Sequence, residues 1–148
     1  MVSVFGTGRI TEGDPVFTLA ERLGRALAQA GFALANGGYG GTMLATARGA
    51  RAGGGTVIGV TCSAFRNSIA NGYVSEEVTT TSLDERLGTL VRLGSGYIVL
   101  PGGTGTLLEL AMVWELKNKK FLDRGKPLVL LGDFWKPVVD LVLSLIHI

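Results

Sequence analysis

Short apolar runs alternate with longer amphipathic segments along this chain, and clusters of glycine separate many of them. This alternation is typical of repeated βα units, in which each strand is followed by a helix that packs on the sheet. Strands are predicted at 2–5, 32–35, 57–60, 97–100 and 127–131. The irregular segment 62–81 is predicted to be a long loop with a short strand near 74–78. We therefore expect an α/β fold with one doubly wound, mainly parallel sheet.

Local capping signals predict where the helices begin and end. Asp14 followed by Pro15 is typical of a helix start, and Gly31 supplies a left-handed end near residue 30. Ser82 and Thr106 are each followed three residues later by glutamate, which is a capping-box pattern. Further helices are predicted at 42–52, 83–93 and 106–119, with a last one from residue 136.

No domain boundary or internal repeat is visible, so residues 1–142 are assigned to a single domain. Residues 143–148 are interpreted as a truncated helix end or a non-native tail. His147, the only histidine, lies in that tail and is not taken as a functional residue.

Glycine makes up 23 of the 148 residues, roughly twice the share found in an average protein. No Gly-X-Y period runs through the chain, and 47% of the residues are apolar, which suffices for a buried core. The glycines are therefore expected to permit particular backbone conformations at individual turns and loops within a folded domain.

Several classes of protein are excluded by composition. The formal net charge is only +2 and no basic block is present, which argues against a nucleic-acid binder. A single cysteine, Cys62, allows no internal disulfide and no thiolate metal site, and it favours the cytoplasm. No apolar run reaches the ~20 residues of a membrane span, and the start lacks the basic segment of a signal peptide. We expect no membrane partner and no bound metal.

Three glycine clusters follow predicted strands, at 6–8, 37–42 and 102–106. Ligands of open parallel sheets bind beyond the carboxyl ends of the strands, where these clusters fall. The last two clusters run directly into helices, so backbone N–H groups, the helix dipole and threonine hydroxyls can converge on a phosphate. Such glycines can also serve only to form tight turns. Two clusters in one small sheet favour an anion or nucleotide site, with these candidate residues: Gly6, Thr7, Gly8, Gly38, Gly40, Gly41, Thr42, Met43, Gly102, Gly103, Thr104, Gly105 and Thr106.

Two common nucleotide-binding motifs are absent from the sequence. The dinucleotide fingerprint needs glycine at n, n+2 and n+5, and the n+5 positions here are Thr11, Met43 and Leu108. No cluster ends in the Gly-Lys-Ser/Thr of a P-loop. Nicotinamide dinucleotide enzymes and P-loop nucleotidases are therefore disfavoured.

Arg86 occupies an unusual place on the predicted helix 83–93. At about 100° per residue it falls inside the apolar arc, between Leu90 and Leu93. A guanidinium there needs a partner, because burying an unpaired charge is costly. That partner can be an anionic ligand or a structural carboxylate such as Glu109, or the side chain can extend from the edge of the apolar stripe to solvent.

Glu109 has two interpretations that the local sequence does not separate. As the last residue of the pattern Thr106-x-x-Glu109 it can accept the backbone N–H of Thr106. Alternatively, its carboxylate faces the cavity beside the glycine loop, where it can polarise a water or stabilise positive charge at a sugar carbon.

The chain resembles the LOG (Lonely Guy) family, whose members are often labelled "possible lysine decarboxylase". Residues 101–109, PGGTGTLLE, fit the family signature PGGxGTxxE. Arg86 stands 23 residues before Glu109, where the family places its active-site arginine. Residues 37–43 resemble the family's upstream glycine loop and residues 4–8 its first βα turn, so the resemblance extends to about residue 142.

This resemblance implies a Rossmann-like homodimer that hydrolyses the N-glycosidic bond of a nucleoside 5′-monophosphate, a cytokinin ribotide or an AMP-like compound. Residues 102–106 would hold the 5′-phosphate. Glu109 would bind the ribose and assist water at C1′, and Arg86 would stabilise the phosphate or the departing base. No cofactor is implied. The apolar segment 107–116 is either the dimer interface or ordinary core.

Lysine decarboxylation is rejected, because a pyridoxal enzyme needs a Schiff-base lysine in its pocket. All five lysines lie between residues 117 and 136, most of them at a predicted helix end. The ligand expected from the resemblance is therefore a small nucleotide.

The sequence departs from the usual LOG pattern at three places. Leu87 follows Arg86 where lysine is usual, Leu108 stands where a second glutamate is common, and Gly8-Arg9 replaces Ser-Ser. A related branch of LOG-like proteins carries the molybdenum cofactor, so a non-catalytic nucleotide or molybdenum-cofactor carrier is the alternative. A third reading, a purely structural subunit, predicts an Arg86–Glu109 ion pair closed to solvent.

Overall fold

The computed structural model describes residues 1–146, which form six strands and five helices in alternating order apart from β3 and β4. The strands are β1 (Val2–Phe5), β2 (Leu34–Asn36), β3 (Val57–Cys62), β4 (Glu76–Thr80), β5 (Gly96–Val99) and β6 (Leu128–Leu130). The helices are α1 (Pro15–Gln29), α2 (Thr42–Ala52), α3 (Leu83–Leu93), α4 (Thr104–Asn118) and α5 (Lys136–Ile146).

The strands form a single sheet in the order β4-β3-β2-β1-β5-β6, and every pairing is parallel. The expected doubly wound α/β fold is confirmed. The direction of winding reverses between β1 and β5, so the helices that follow these two strands, α1 and α4, pack on opposite faces of the sheet. This reversal is the place where sheets of this kind bind ligands.

Two hydrophobic cores cover the two faces of the sheet. Consecutive strand residues point to opposite faces: Val4 packs towards α1 and α2, whereas Phe5 packs with residues of α3 and α4. The backbones of α1 and α2 approach so closely that a Cβ on Gly24 would overlap the carbonyl of Thr46. The sheet is thus packed on both faces, and its carboxyl edge is left for the loops.

Most predicted element boundaries agree with the structure to within two residues. β2 begins at Leu34 because the backbone N–H of Phe32 still donates to Leu27 O (3.0 Å), in the turn that ends α1. The short strand expected near 74–78 is β4, two residues later, and it pairs with β3.

The start of α4 differs from the prediction in a way that affects the site. The helix begins at Thr104, with Gly103 as its N-cap and no side-chain cap, two residues before the predicted start. Thr106 is therefore inside the helix, and the capping-box interpretation of Thr106 and Glu109 is wrong. The capping box predicted at Ser82 and Glu85 forms only one of its two hydrogen bonds. Ser82 Oγ accepts from Glu85 N, whereas the Glu85 carboxylate accepts from Thr81 N.

The predicted last helix is present as α5, which is described to Ile146. His147 lies outside the described residues. Within residues 1–146 no helix combines the length and the hydropathy needed to cross a membrane.

Candidate functional site

A cavity of about 470 Å³ opens at the winding reversal of the sheet, between the loops that follow β1 and β5. The two loops are joined by a hydrogen bond from Thr7 N to Pro101 O (3.0 Å). Residues from four parts of the chain line the cavity: Gly6, Thr7, Gly8, Arg9, Met43, Arg86, Gly103, Thr104, Gly105, Thr106 and Glu109. The structure thus brings both candidate catalytic residues and most of the candidate binding residues to one place.

Five of the candidate binding residues do not line this cavity: Gly38, Gly40, Gly41, Thr42 and Gly102. The N–H and the hydroxyl of Thr42 both donate to Thr7 O, at 2.8 and 3.0 Å. Met43 N donates to Gly40 O (3.2 Å), so the protein itself uses the first N–H groups of α2. The second glycine cluster supports the first loop, and of its candidates only Met43 reaches the cavity.

The first turn of α4 presents unused hydrogen-bond donors to the cavity. Its first backbone bond runs from Leu107 N to Gly103 O (2.9 Å). No acceptor in the described chain is bonded to the N–H groups of Thr104, Gly105 or Thr106. Such groups, at the positive end of a helix dipole, form an anion site.

The glycines of this turn leave room for a ligand. A Cβ on Gly103 or Gly105 would meet no protein atom within 4 Å, and neither residue has a positive φ. Neither packing nor backbone conformation therefore requires glycine at these two positions. Their missing side chains keep the N–H groups accessible from the cavity.

Arg86 is buried at the start of α3, with 8% of its surface exposed. Its Nε donates to Val60 O (2.7 Å) and its Nη2 to Gly37 O (3.0 Å). No carboxylate lies within 4.0 Å of it in residues 1–146, so the closed ion pair of the structural-subunit reading is not formed. Burial lowers the pKa of the guanidinium, and the nearby negative charge of Glu109 opposes that shift.

The remaining nitrogen of Arg86 is available to a ligand. Every buried polar side-chain atom among the described residues has a hydrogen-bond partner. Nη1 makes no hydrogen bond within the described chain, so it is not fully buried, and Arg86 is one of the residues that line the cavity.

Glu109 lies in the second turn of α4, and its side chain faces the same cavity. Its carboxylate accepts no hydrogen bond from the part of the chain that the structure describes. Burial raises its pKa to about 7, although the positive charge of Arg86 acts in the opposite direction. A carboxyl group with this pKa exchanges protons readily near neutral pH, which suits acid-base chemistry.

Four residues around this site were not candidates from the sequence. Arg9 lines the cavity with an exposed side chain, and its only signal was the departure from Ser-Ser. Gly37 accepts the bond from Arg86, and the rings of Tyr39 and Phe65 lie beside its guanidinium. Tyr39 interrupts a glycine cluster, and this position could have identified it as a site residue from the sequence. Phe65 lies in an irregular loop, where no sequence pattern points to such a role.

Known proteins are similar to this chain in sequence and in fold. The SLOG cluster4 family matches residues 1–139. A protein named cytokinin riboside 5′-monophosphate phosphoribohydrolase from Rhodococcoides fascians is 32% identical over 146 residues, 95% of this chain and 73% of the relative. A protein of the same name from Mycobacterium tuberculosis is 37% identical over 136 residues, 90% of this chain and 71% of the relative.

Among solved structures, the molybdenum cofactor binding protein of Rippkaea orientalis has a TM-score of 0.75 and 28% identity, over 97% of this chain and 83% of that one. The resemblance to LOG proteins is confirmed by the family match and by the named relatives together. The chain belongs to the SLOG cluster4 family, within the LOG-like proteins.

Proposed function

We propose that this protein hydrolyses the N-glycosidic bond of a nucleoside 5′-monophosphate, releasing the free base and ribose 5-phosphate. The observation that carries the proposal is the convergence in one cavity of the uncapped start of α4, the partly buried Glu109 and the free edge of Arg86. The name shared by the two bacterial relatives supports the same activity.

The start of α4 is the proposed phosphate site. Three N–H groups, from Thr104, Gly105 and Thr106, are available there, and the helix dipole favours a dianion. Arg9 adds a positive charge at the same cavity. Holding the phosphate at this end directs the sugar towards Glu109, which lies further along the same helix.

Glu109 is the proposed acid-base residue. As the carboxylate it accepts a proton from water while the water oxygen bonds to C1′ and the bond from C1′ to the base nitrogen breaks. Its negative charge also stabilises the oxocarbenium-like transition state. The electron pair of the broken bond leaves with the base, where a proton or a cationic donor stabilises it. Nη1 of Arg86 is that donor, for the base or for the phosphate.

We propose that the functional unit is a homodimer. The segment 107–116 is predicted to be either dimer interface or core, and in the structure one side of it is buried and the other exposed. The buried residues are Leu110 and Val113. The exposed ones are Leu107, Leu108 and Met112. Leu83 of α3 is exposed beside this face, and a small cavity between Leu83 and Leu108 also contains Arg86 and Glu109. A second copy packed on this face would exclude water from the site.

A panel of nucleoside monophosphates, AMP and a cytokinin ribotide among them, tests the reaction by chromatography of the released base. We expect base release by the wild type, with an acid limb near pH 7 that reflects the pKa of Glu109. Glu109→Gln should lower kcat by at least about 100-fold without loss of folding, whereas Glu115→Gln, on the exposed side of the same helix, should not.

The alternative function is that of a carrier, and the likeness to the Rippkaea orientalis molybdenum cofactor binding protein favours it as the second candidate. The same cavity would then hold the phosphate of a pterin cargo. Absence of base release from every monophosphate, together with tight binding of a pterin phosphate, would establish the carrier function and overturn the hydrolase proposal.

A further inference from the structure

We propose that Tyr39 and Phe65 are positioning residues of this site: their aromatic rings replace a carboxylate as the partners of the Arg86 guanidinium and fix its free edge towards the ligand. The catalytic consequence rests on the proposed hydrolase function. The effect on anion binding and on the orientation of Arg86 does not depend on that function.

The edges of the guanidinium are fixed first by two backbone carbonyls. Nε donates to Val60 O at the sheet, and Nη2 donates to Gly37 O in the second glycine cluster. A Cβ on Gly37 would overlap the guanidinium, so only glycine permits this approach. These two bonds determine which edge of the group remains for a ligand, namely the edge that carries Nη1.

Two aromatic rings then lie against the group. The Cζ atom of Arg86 is 5.3 Å from the ring centroid of Tyr39 and 5.4 Å from that of Phe65. The two rings are themselves 6.0 Å apart and tilted by 44°. Both distances to Cζ are within the range in which a ring quadrupole attracts a cation, and burial strengthens that attraction.

Tyr39 is held firmly in this position. Its Oη accepts a hydrogen bond from Cys62 N (2.8 Å) and shares one with Ser68 Oγ (2.8 Å). Asn71 Nδ2 donates to Tyr39 O (2.9 Å), which ties the same residue to the loop between β3 and β4. The long irregular loop thereby becomes part of the support for Arg86.

Phe65 belongs to that loop as well. Its N–H donates to Cys62 O (3.1 Å), and its ring lies next to that of Tyr39. The ring is 37% exposed and does not line the main cavity. Phe65 therefore acts through Arg86 and not by direct contact with the ligand.

Aromatic partners differ from a carboxylate in one consequence for binding. A bonded carboxylate would cancel the charge of Arg86 and compete with an anionic ligand for its donors. Ring quadrupoles and carbonyl dipoles stabilise the cation but leave its net charge uncancelled. The ligand anion is then the strongest partner that the buried guanidinium can gain.

The test compares Phe65→Leu and Tyr39→Leu with variants that keep a ring, Phe65→Trp and Tyr39→Phe. Phe121→Leu is the matched control, since Phe121 is 75% exposed and lies after α4. We expect each leucine variant at 39 or 65 to lower kcat/KM for AMP, and the affinity for AMP by calorimetry, by about 2- to 30-fold. Phe65→Trp should keep most of the wild-type values, Tyr39→Phe should fall between the wild type and Tyr39→Leu because it keeps the ring but loses the hydrogen bonds of Oη, and Phe121→Leu should show no loss.

A second measurement reports on Arg86 itself. Its Nε–H resonance, identified by its absence in Arg86→Lys, should exchange slowly with water in the wild type and faster in the leucine variants. Unchanged exchange and unchanged affinity in both leucine variants would overturn the proposal, and so would equal losses in Phe65→Leu and Phe65→Trp. If the wild type releases no base, the hydrolase proposal fails, while affinity and exchange still decide this one.

Discussion

Arg86, which is buried, and Glu109, which is partly buried, are ionisable groups of opposite charge that line one cavity without forming an ion pair within 4.0 Å in the described chain. Each carries a cost of burial, seen in the lowered pKa of Arg86 and in the pKa of about 7 at Glu109. Residues maintained at such a cost are typical of functional sites.

Stability should therefore depend on pH through Glu109. Burial raises its pKa from 4.5 to about 7 in the folded protein, so the folded state binds this proton more tightly than the unfolded chain does. The resulting stability is complete below about pH 4.5 and is lost as the pH rises through about 7. Glutamine does not titrate, so the unfolding free energy of Glu109→Gln relative to the wild type should increase by on the order of 2 kcal/mol between about pH 5 and pH 8.

Urea denaturation at several pH values measures this difference. Glu115→Gln is the control, because Glu115 lies on the same helix with an exposed side chain. If Glu109→Gln and the wild type showed parallel stability profiles over this range, the raised pKa would be refuted.

At the level of elements, the start of α4 determines what the site can bind. An ordinary helix start uses a serine, threonine, aspartate or asparagine side chain as its cap, whereas Gly103 leaves the first N–H groups of α4 unbonded within residues 1–146. This arrangement gives up helix stability and leaves N–H donors free for an anion. Binding and stability should consequently respond in opposite directions to a negative charge placed there.

Gly105→Asp tests that opposition. A carboxylate in the first turn should stabilise the helix by about 0.3 to 1 kcal/mol through the dipole. The same charge should weaken the binding of AMP by at least about tenfold, since it would occupy the proposed phosphate site and repel the dianion. Gly72→Asp is the control, because Gly72 also has open space around its Cβ but lies in the β3–β4 loop. Calorimetric affinity and thermal denaturation measure the two effects, and unchanged affinity in Gly105→Asp would exclude this turn as the phosphate site.

The helices and strands were largely predictable from the sequence, and the reasons for the exceptions are physical. Asp14-Pro15 and Gly31 determine the ends of α1 through local chemistry, so they were read correctly. The predicted start of α4 was wrong because threonine is a favoured N-cap residue, so the capping rules select Thr106. The actual N-cap, Gly103, has no side chain by which the sequence could identify it. The partners of Arg86 were beyond prediction, since its carbonyl acceptors lie 26 and 49 residues away in the chain.

For the whole molecule, the sheet topology explains why distant segments form one site. The order reversal between β1 and β5 places the glycine loops after both strands at the same edge, and α3 delivers Arg86 to that edge. The glycine motifs could be assigned to a common edge from the sequence, because parallel strands share their carboxyl edge, whereas Arg86 was assigned to the same site only through the resemblance to LOG proteins. The loop between β3 and β4 has no periodic pattern in its sequence. Its contacts with the surroundings of Arg86 could therefore be recognised only from the tertiary structure.

The exposed face of α4 gives the last prediction, which concerns the assembly. Leu107, Leu108 and Met112 expose apolar surface beside the cavity, as an interface between two copies would require. Met112→Glu should convert the proposed homodimer into a monomer, measured by light scattering after size exclusion. Because the partner would exclude water from the site, base release should fall together with the dimer. Leu141→Glu is the control, since Leu141 is 64% exposed on α5 and a charge there should leave assembly and activity unchanged. A Met112→Glu monomer with full activity would show that the site is complete within one chain, and an unaltered oligomeric state would remove this face from the interface.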